Sequence, residues 1–201
     1  MKILGLELSS PRGSVALRDA ENVVFSREWP NDRKNSGPFF EHLAEVHKEF
    51  GKPDEIIVGL GPGSYAGTRI AISAAIGLQT ASQARLVGFP SICAIECDTA
   101  EYCVFGDARR LTFFFAHVRE HDLIDGPDLM SEAELLEKLD KIDNELSIFT
   151  TEELPQFERA KLSYPAADVL ARIATDSKHD FVQPPLEPMY LREPHITIPK
   201  K

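Results

Sequence analysis

Alternating apolar positions open the chain. Residues 2–8 (KILGLEL), 14–19 (SVALRD) and 22–29 (NVVFSREW) each read as a strand, and the connections SSPRG and AE are too short for helical crossovers. An antiparallel meander is expected. The period then lengthens. Phe39, Leu43, Val46 and Phe50 recur at helical spacing across 36–50, with Ser36 as N-cap and Gly51 and Pro53 as the stop. DEIIVGL (54–60) reads as a buried strand, 66–83 as a second helix unbroken by proline, 85–89 as a short strand, and 91–100, after Pro90, as a third short helix.

A second block follows with a similar order. YCVFGDAR (102–109) and LTFFFAHVRE (111–120) form a strand pair. Ser131 followed by Glu134 makes a capping box for a helix over 131–142, and LSIFT (146–150) and 165–176 read as strand and helix. Phe113, Phe114 and Phe115 in succession require a strand buried on both faces. The helix over 131–142 carries leucines at 135, 136 and 139 against charges elsewhere, as a solvated surface helix does. The proline-rich segment 181–201 cannot be helical and is expected to close the chain in extended form. Both blocks combine a sheet with helices, so the class is α/β, divided into residues 1–101 and a smaller 102–201.

Charge narrows the function. At −10, with 22 Lys and Arg, the chain would repel a phosphate backbone, so contact with RNA is expected only through a partner. No run approaches about 18 apolar residues, and MKILGLELSS lacks the apolar core of a signal peptide, which points to a cytoplasmic protein without a membrane span. Cys93, Cys97 and Cys103 form no CxxC pair and read as buried thiols.

The stretch GLGPGSYAGTRI (59–70) joins the fourth strand to the second helix. It lacks the lysine of a Walker A loop, and Gly61, Gly63 and Gly67 are spaced GxGxxxG rather than GxGxxG. What remains is a glycine turn, Ser64 as N-cap, and a helix start that favours anions; a simple chain reversal with close helix packing explains the same residues. The helix itself is more telling. Ala66, Ala71, Ala74, Ala75, Gly77 and Ala81 make it smooth on nearly every face, so it should be buried on more than one side, by a protein partner or by the second block.

DEIIVGLGPGSYAGTRI resembles the signature segment of the bacterial TsaB (YeaZ) family. MKILGLELSS is similar to that family's opening strand, GDARRLTFFFA to its Asp-Ala-Arg segment, and EPMYLRE to its closing Pro-x-Tyr-Leu-Arg. The resemblance implies an actin-like ATPase (ASKHA, RNase H-like) fold of two related subdomains, the second reduced. It also implies a role in making threonylcarbamoyladenosine at position 37 of tRNA. In that system the chain would be a non-catalytic dimerisation partner of the catalytic paralogue TsaD, with TsaE as the ATPase that joins the complex, tRNA reached only through the complex, and a homodimer when alone. The interface would use the helices at 36–50 and 66–83, here through His42, Val46, Arg69, Ile70, Ser73, Ala74 and Gly77. No cofactor is required by that role, and ATP or ADP would sit at a subunit interface.

The rival expectation is a free-standing actin-fold ATPase or phosphotransferase, using Glu7, Ser9, Ser10, Gly61, Gly63, Ser64, Gly67 and Asp107 on a nucleotide. Glu7 stands where the TsaB family usually has aspartate, and Tyr65, Ala66 and Thr68 also depart from its pattern; these changes bear on nucleotide binding more than on partner binding. No catalytic residue or metal site is assigned. His42 and His47 are five apart and diverge around a helix, and the i, i+4 spacing of His117 and His121 loses its meaning in a strand. Asp107 with Arg109 reads as an ion pair or turn contact before it reads as a water-orienting group.

Overall fold

The computed structural model describes residues 1–31 and 35–192. Its first half contains β1 (Lys2–Glu7), β2 (Arg12–Asp19), β3 (Asn22–Pro30), α1 (Gly37–Phe50), β4 (Glu55–Gly59), α2 (Tyr65–Ser82) and β5 (Arg85–Phe89). The strands lie in the order β3-β2-β1-β4-β5. The meander β1-β2-β3 is antiparallel, while β4 and β5 run parallel to β1 because helices carry the chain back.

The second half repeats this plan with β6 (Glu101–Asp107), β7 (Thr112–Arg119), β8 (Asp122–Ser131), α3 (Glu132–Asp140), β9 (Ser147–Thr150), β10 (Lys161–Leu162) and α4 (Ala167–Ile173). Its sheet reads β8-β7-β6-β9-β10, the same order strand for strand, again with an antiparallel meander and parallel additions. This duplication is the actin-like, RNase H-like α/β fold. The second copy is reduced between β9 and β10, where a loop of turns replaces the helix that α2 supplies in the first.

Three apolar layers hold the stack together. The outer face of the first sheet, through Leu4, Leu6, Ile56 and Val58, packs on Phe39, Leu43 and Val46 of α1 and Ala71, Ile72 and Ala75 of α2. Between the sheets, Ile3, Ile57 and Val87 meet Val169, Leu170 and Ile173 of α4 and Val104, Phe114 and Ala116 of the second sheet. The outer face of the second sheet, with Cys103, Phe105, Phe113 and Phe115, is covered by Leu135 and Leu139 of α3 and by Phe157 from the β9–β10 loop. The three consecutive phenylalanines thus divide between two layers, as a strand buried on both faces demands. Leu136 stays exposed on α3, and the Ser131–Glu134 capping box forms.

Three elements depart from the sequence expectation. Residues 91–100 form only a 3-10 turn, Ser91–Ala94, because the next residues pair in extended form with the chain before α4: Ala166 N–H donates to Ala94 and Glu96 N–H to Tyr164. β8 and the two-residue β10 carry no clean period. In β8, Gly126-Pro127 and two register irregularities interrupt the alternation.

Candidate functional site

Two concavities flank the start of α2. The larger, about 490 Å³, is a cleft between the halves, lined among others by Ser9, Ser10, Ser64, Asp107, Arg109 and Tyr190. The smaller is an open surface groove of about 370 Å³ between α1 and α2, lined by Phe40, Arg69, Ile70, Ser73 and Ala74.

The glycine loop builds the wall between them. The bond Gly61-Pro62 is cis, Ser64 N–H donates to Ser9 carbonyl at 2.6 Å, and Ser64 Oγ accepts from Gly67 N–H as an N-cap. A Cβ on Gly63 would fall 2.1 Å from Ser9 carbonyl oxygen and one on Gly67 2.0 Å from that of Leu8. Glycine at 67 is what lets α2 lie against the end of β1, and Gly61 spends its N–H on Ser91 Oγ.

Of the residues assigned to a nucleotide, Ser9, Ser10, Gly63, Ser64 and Asp107 line the cleft and Glu7, Gly61 and Gly67 do not. Glu7 is wholly buried; its Oε1 accepts the Ser9 N–H at 2.5 Å and its Oε2 sits where a Cβ of Gly59 would be. Neither Glu7 Oε2 nor Ser9 Oγ has a hydrogen-bond partner among the described residues. Burial pushes the Glu7 carboxyl above the usual carboxylate range, and the Ser9 N–H that Oε1 accepts offsets this only in part. Asp107 is spoken for: its carboxylate accepts from Arg109 N–H at 2.6 Å and pairs with the Arg109 guanidinium at 2.7 Å. The serines and the helix start suit an anion, but the carboxylate at the end of β1 is sealed from the cleft. These residues do not fit a metal-bound nucleotide held through Glu7. Among the described residues no group of three His, Cys, Asp or Glu could hold a metal ion.

Of the residues assigned to a partner, Arg69, Ser73 and Gly77 are exposed on α2, and Ile70 and Ala74 are half-buried beside them. Val46 is corrected. It points inward at 3 % exposure because its position on α1 shares the face of Phe39 and Leu43, and it offers a partner no surface. His42 is half-buried, with its ring 5.0 Å from that of Trp29 and its Nδ1 bonded to Glu45, apart from exposed His47. His117 binds Glu101 and His121 the Cys93 carbonyl, so that pair forms no common site either.

Sequence reasoning missed Phe40 and Ile76, which are 51 % and 45 % exposed on the same side of the molecule. The doublet Phe39-Phe40 was the available signal, since on a helix only one of two neighbours can face the sheet. It also missed the cleft-lining tail, Pro188 to Arg192.

A profile of the family described as "TsaD: tRNA N6-adenosine threonylcarbamoyltransferase" matches residues 39–193. The chain belongs to this threonylcarbamoyltransferase family. Among solved structures it is similar to a Pseudomonas aeruginosa protein described as uncharacterized with similarity to peptidase YEAZ, at a TM-score of 0.75 and 20% identity, covering 95% of this chain and 99% of that one. It is also similar to YeaZ from Pseudomonas aeruginosa, at 0.72 and 19%, covering 94% and 100%. At these identities the likeness is one of fold, and it agrees with the TsaB (YeaZ) resemblance of the sequence. No curated protein matches the sequence. No helix among the described residues is long and apolar enough to cross a membrane.

Proposed function

We propose that this member of the threonylcarbamoyltransferase family is a non-catalytic, TsaB-type subunit of the cytoplasmic tRNA threonylcarbamoyladenosine machinery, which binds and positions a TsaD-type paralogue through the outer face of α1 and α2. One observation carries the reading. α2 buries a single stripe, Gly67, Thr68, Ala71, Ile72 and Ala75, against its own sheet. Ile70, Ala74 and Leu78 flank that stripe half-buried, while Ala66, Arg69, Ser73, Ile76 and Gly77 are turned to solvent, and Arg69, Ile70, Ser73 and Ala74 form the groove with exposed Phe40. A smooth face of this kind beside an open groove is what a helix or sheet of another protein requires for close approach. A TsaE-type ATPase and tRNA would meet the chain only within that complex, ATP or ADP would bind at a subunit boundary, and in the absence of the paralogue two copies would pair through the same face.

The rival, an ATPase working from the interdomain cleft, has serines and a helix start in its favour. Against it stand the sealed Glu7 and the Asp107–Arg109 pair. Ala74→Arg and Gly77→Arg are expected to abolish capture of the TsaD-type paralogue in a pull-down while the chain still unfolds in one cooperative thermal transition. Intact capture would remove the interface. Steady ATP hydrolysis by the purified chain with magnesium, lost in Asp107→Ala, would favour the rival instead.

A further inference from the structure

The groove and the cleft share one wall, and the C-terminal tail is fastened to it. The segment 182–192 first adds to the edge of the first sheet, where Val182 and Gly88 exchange two backbone hydrogen bonds of 2.9 and 3.0 Å. Leu186 then enters the core under α1 and α2, and Met189 N–H donates to Leu60 carbonyl at 2.8 Å. Tyr190 lays its ring 5.7 Å from that of Tyr65, the first residue of α2. Finally Arg192 reaches the other half, donating to Thr112 Oγ1 and to the Arg109 carbonyl. Residues 186–192 therefore strap the cleft, holding the first half at three points and the β6–β7 turn at the fourth.

The wall residues face both ways. Tyr65 lines the cleft with Tyr190, and Arg69, which lines the groove, stands 5.0 Å over the Tyr65 ring and donates to its hydroxyl. Tyr65 and Tyr190 are 55 % and 44 % exposed, so the pair continues the groove as an aromatic ledge. Among the described residues Arg69 is the one charge lining the groove. On a chain of net charge −10, no carboxylate pairs with it among the described residues; its partner is the neutral Tyr65.

Resting on the partner reading above, we propose that the docking surface is composite. It runs from the α1–α2 groove across the Tyr65–Arg69 wall onto Tyr190, and it is complete only while the strap spans the cleft. The matching partner surface presents an aliphatic side chain to Phe40, Ile70 and Ala74 and a carboxylate to Arg69. Because the strap also holds Arg109 and Thr112, docking on α2 and the relative placement of the two halves are energetically linked, and by reciprocity each stabilises the other.

The test measures the dissociation constant of the full chain with the purified TsaD-type paralogue. Arg192→Ala lies outside the docking surface and removes the far anchor; it is expected to weaken binding about 5- to 20-fold, the lower part of the range of ordinary allosteric coupling. Tyr190→Ala should weaken it similarly and Tyr190→Phe, which keeps the ring, should restore it. Hydrogen exchange at Met189 N–H should slow when the paralogue is added. If Arg192→Ala and Tyr190→Ala both bind like the parent while Ala74→Arg does not bind, the composite surface is wrong and the partner reading stands. If Ala74→Arg binds like the parent, the partner reading itself fails.

Discussion

The two halves share a strand order and differ in what lies on their outer faces. In the second half, α3 and the β9–β10 loop cover the sheet: Phe157 packs edge-on to Phe105 and Phe113 at 4.9 and 5.2 Å, and the loop leaves no helix to spare. In the first half two full helices are retained, and α2 presents more apolar and small surface than its sheet needs. The corresponding strand ends differ as well. β1 finishes on Glu7, sealed from the cleft and unpaired at one oxygen among the described residues, whereas β6 finishes on Asp107, which lines the cleft and is tied to Arg109. One topology thus serves two purposes: the second half closes on itself, and the first keeps a face open. A sheet of this order can be covered without a second long helix, and the presence and smoothness of α2 accord with the partner role proposed above.

The largest expected effect lies where the second half closes on itself. Phe157→Ala removes an aromatic side chain that stands in for a helix, and a buried Phe→Ala change costs about 3–5 kcal/mol. Urea unfolding should show that loss. Phe40→Ala, the exposed counterpart on α1, should leave the urea midpoint unchanged and weaken partner capture. Equal stability losses in the two variants would erase the contrast between a closed half and an open one.

Next comes the contrast between Glu7 and Asp107. Since burial raises the Glu7 carboxyl above its ordinary value of 4.5, the folded protein holds a proton that the unfolded chain releases once the pH exceeds that value. Its contribution to stability is therefore full below about pH 4.5, falls as the pH rises, and levels off above the folded-state value. Glu7→Gln keeps an oxygen for Ser9 N–H and removes the titration. The variant should match the parent near pH 4 and exceed it in stability at pH 7. Carboxylates held low by their partners, such as Glu101 beside Arg119 and Glu134 beside Ser131, pull the other way but are common to both proteins and cancel in the difference. A difference that stays flat from pH 4 to 7, or reverses, would mean that Glu7 is not the buried acid described here.

The same contrast explains what could be read without coordinates. The meander, α1, β4, α2 and β5 were legible within a residue or two, because each has a clean period and a chemical stop such as Gly51 or the cap Ser64. The second half was less so: β8 is broken by Gly126-Pro127, β10 is two residues long, and their places are set by pairing rather than by pattern. For the site, the sequence could mark α2 as too smooth for one sheet. It could not tell that Val46 faces inward, because one apolar stripe looks the same whether sheet or partner covers it, nor that Glu7 curls under Gly59. The strap was hidden for a related reason: prolines exclude a helix from 181–201 but say nothing of where an extended chain lies.

The smallest effects come from two glycines of one helix, and they should differ in sign. Gly67 faces the end of β1, and an added Cβ would meet the Leu8 carbonyl at 2.0 Å, a backbone atom that cannot swing aside. Gly67→Ala should therefore cost about 1–3 kcal/mol, as overpacking does, by lifting α2 from the sheet. Gly77 is exposed, with nothing within 4 Å of its built Cβ, so Gly77→Ala should stabilise the isolated chain by roughly 1 kcal/mol, the helix-propensity difference. If the open face of α2 serves close approach, that gain in thermal stability will be accompanied by weaker association with the paralogue, because the methyl group occupies the partner's space. A Gly77→Ala chain that is both more stable and equally well bound would show that the partner does not come near this turn of the helix, and would confine its footprint to the groove and the ledge at the N-terminal end of α2.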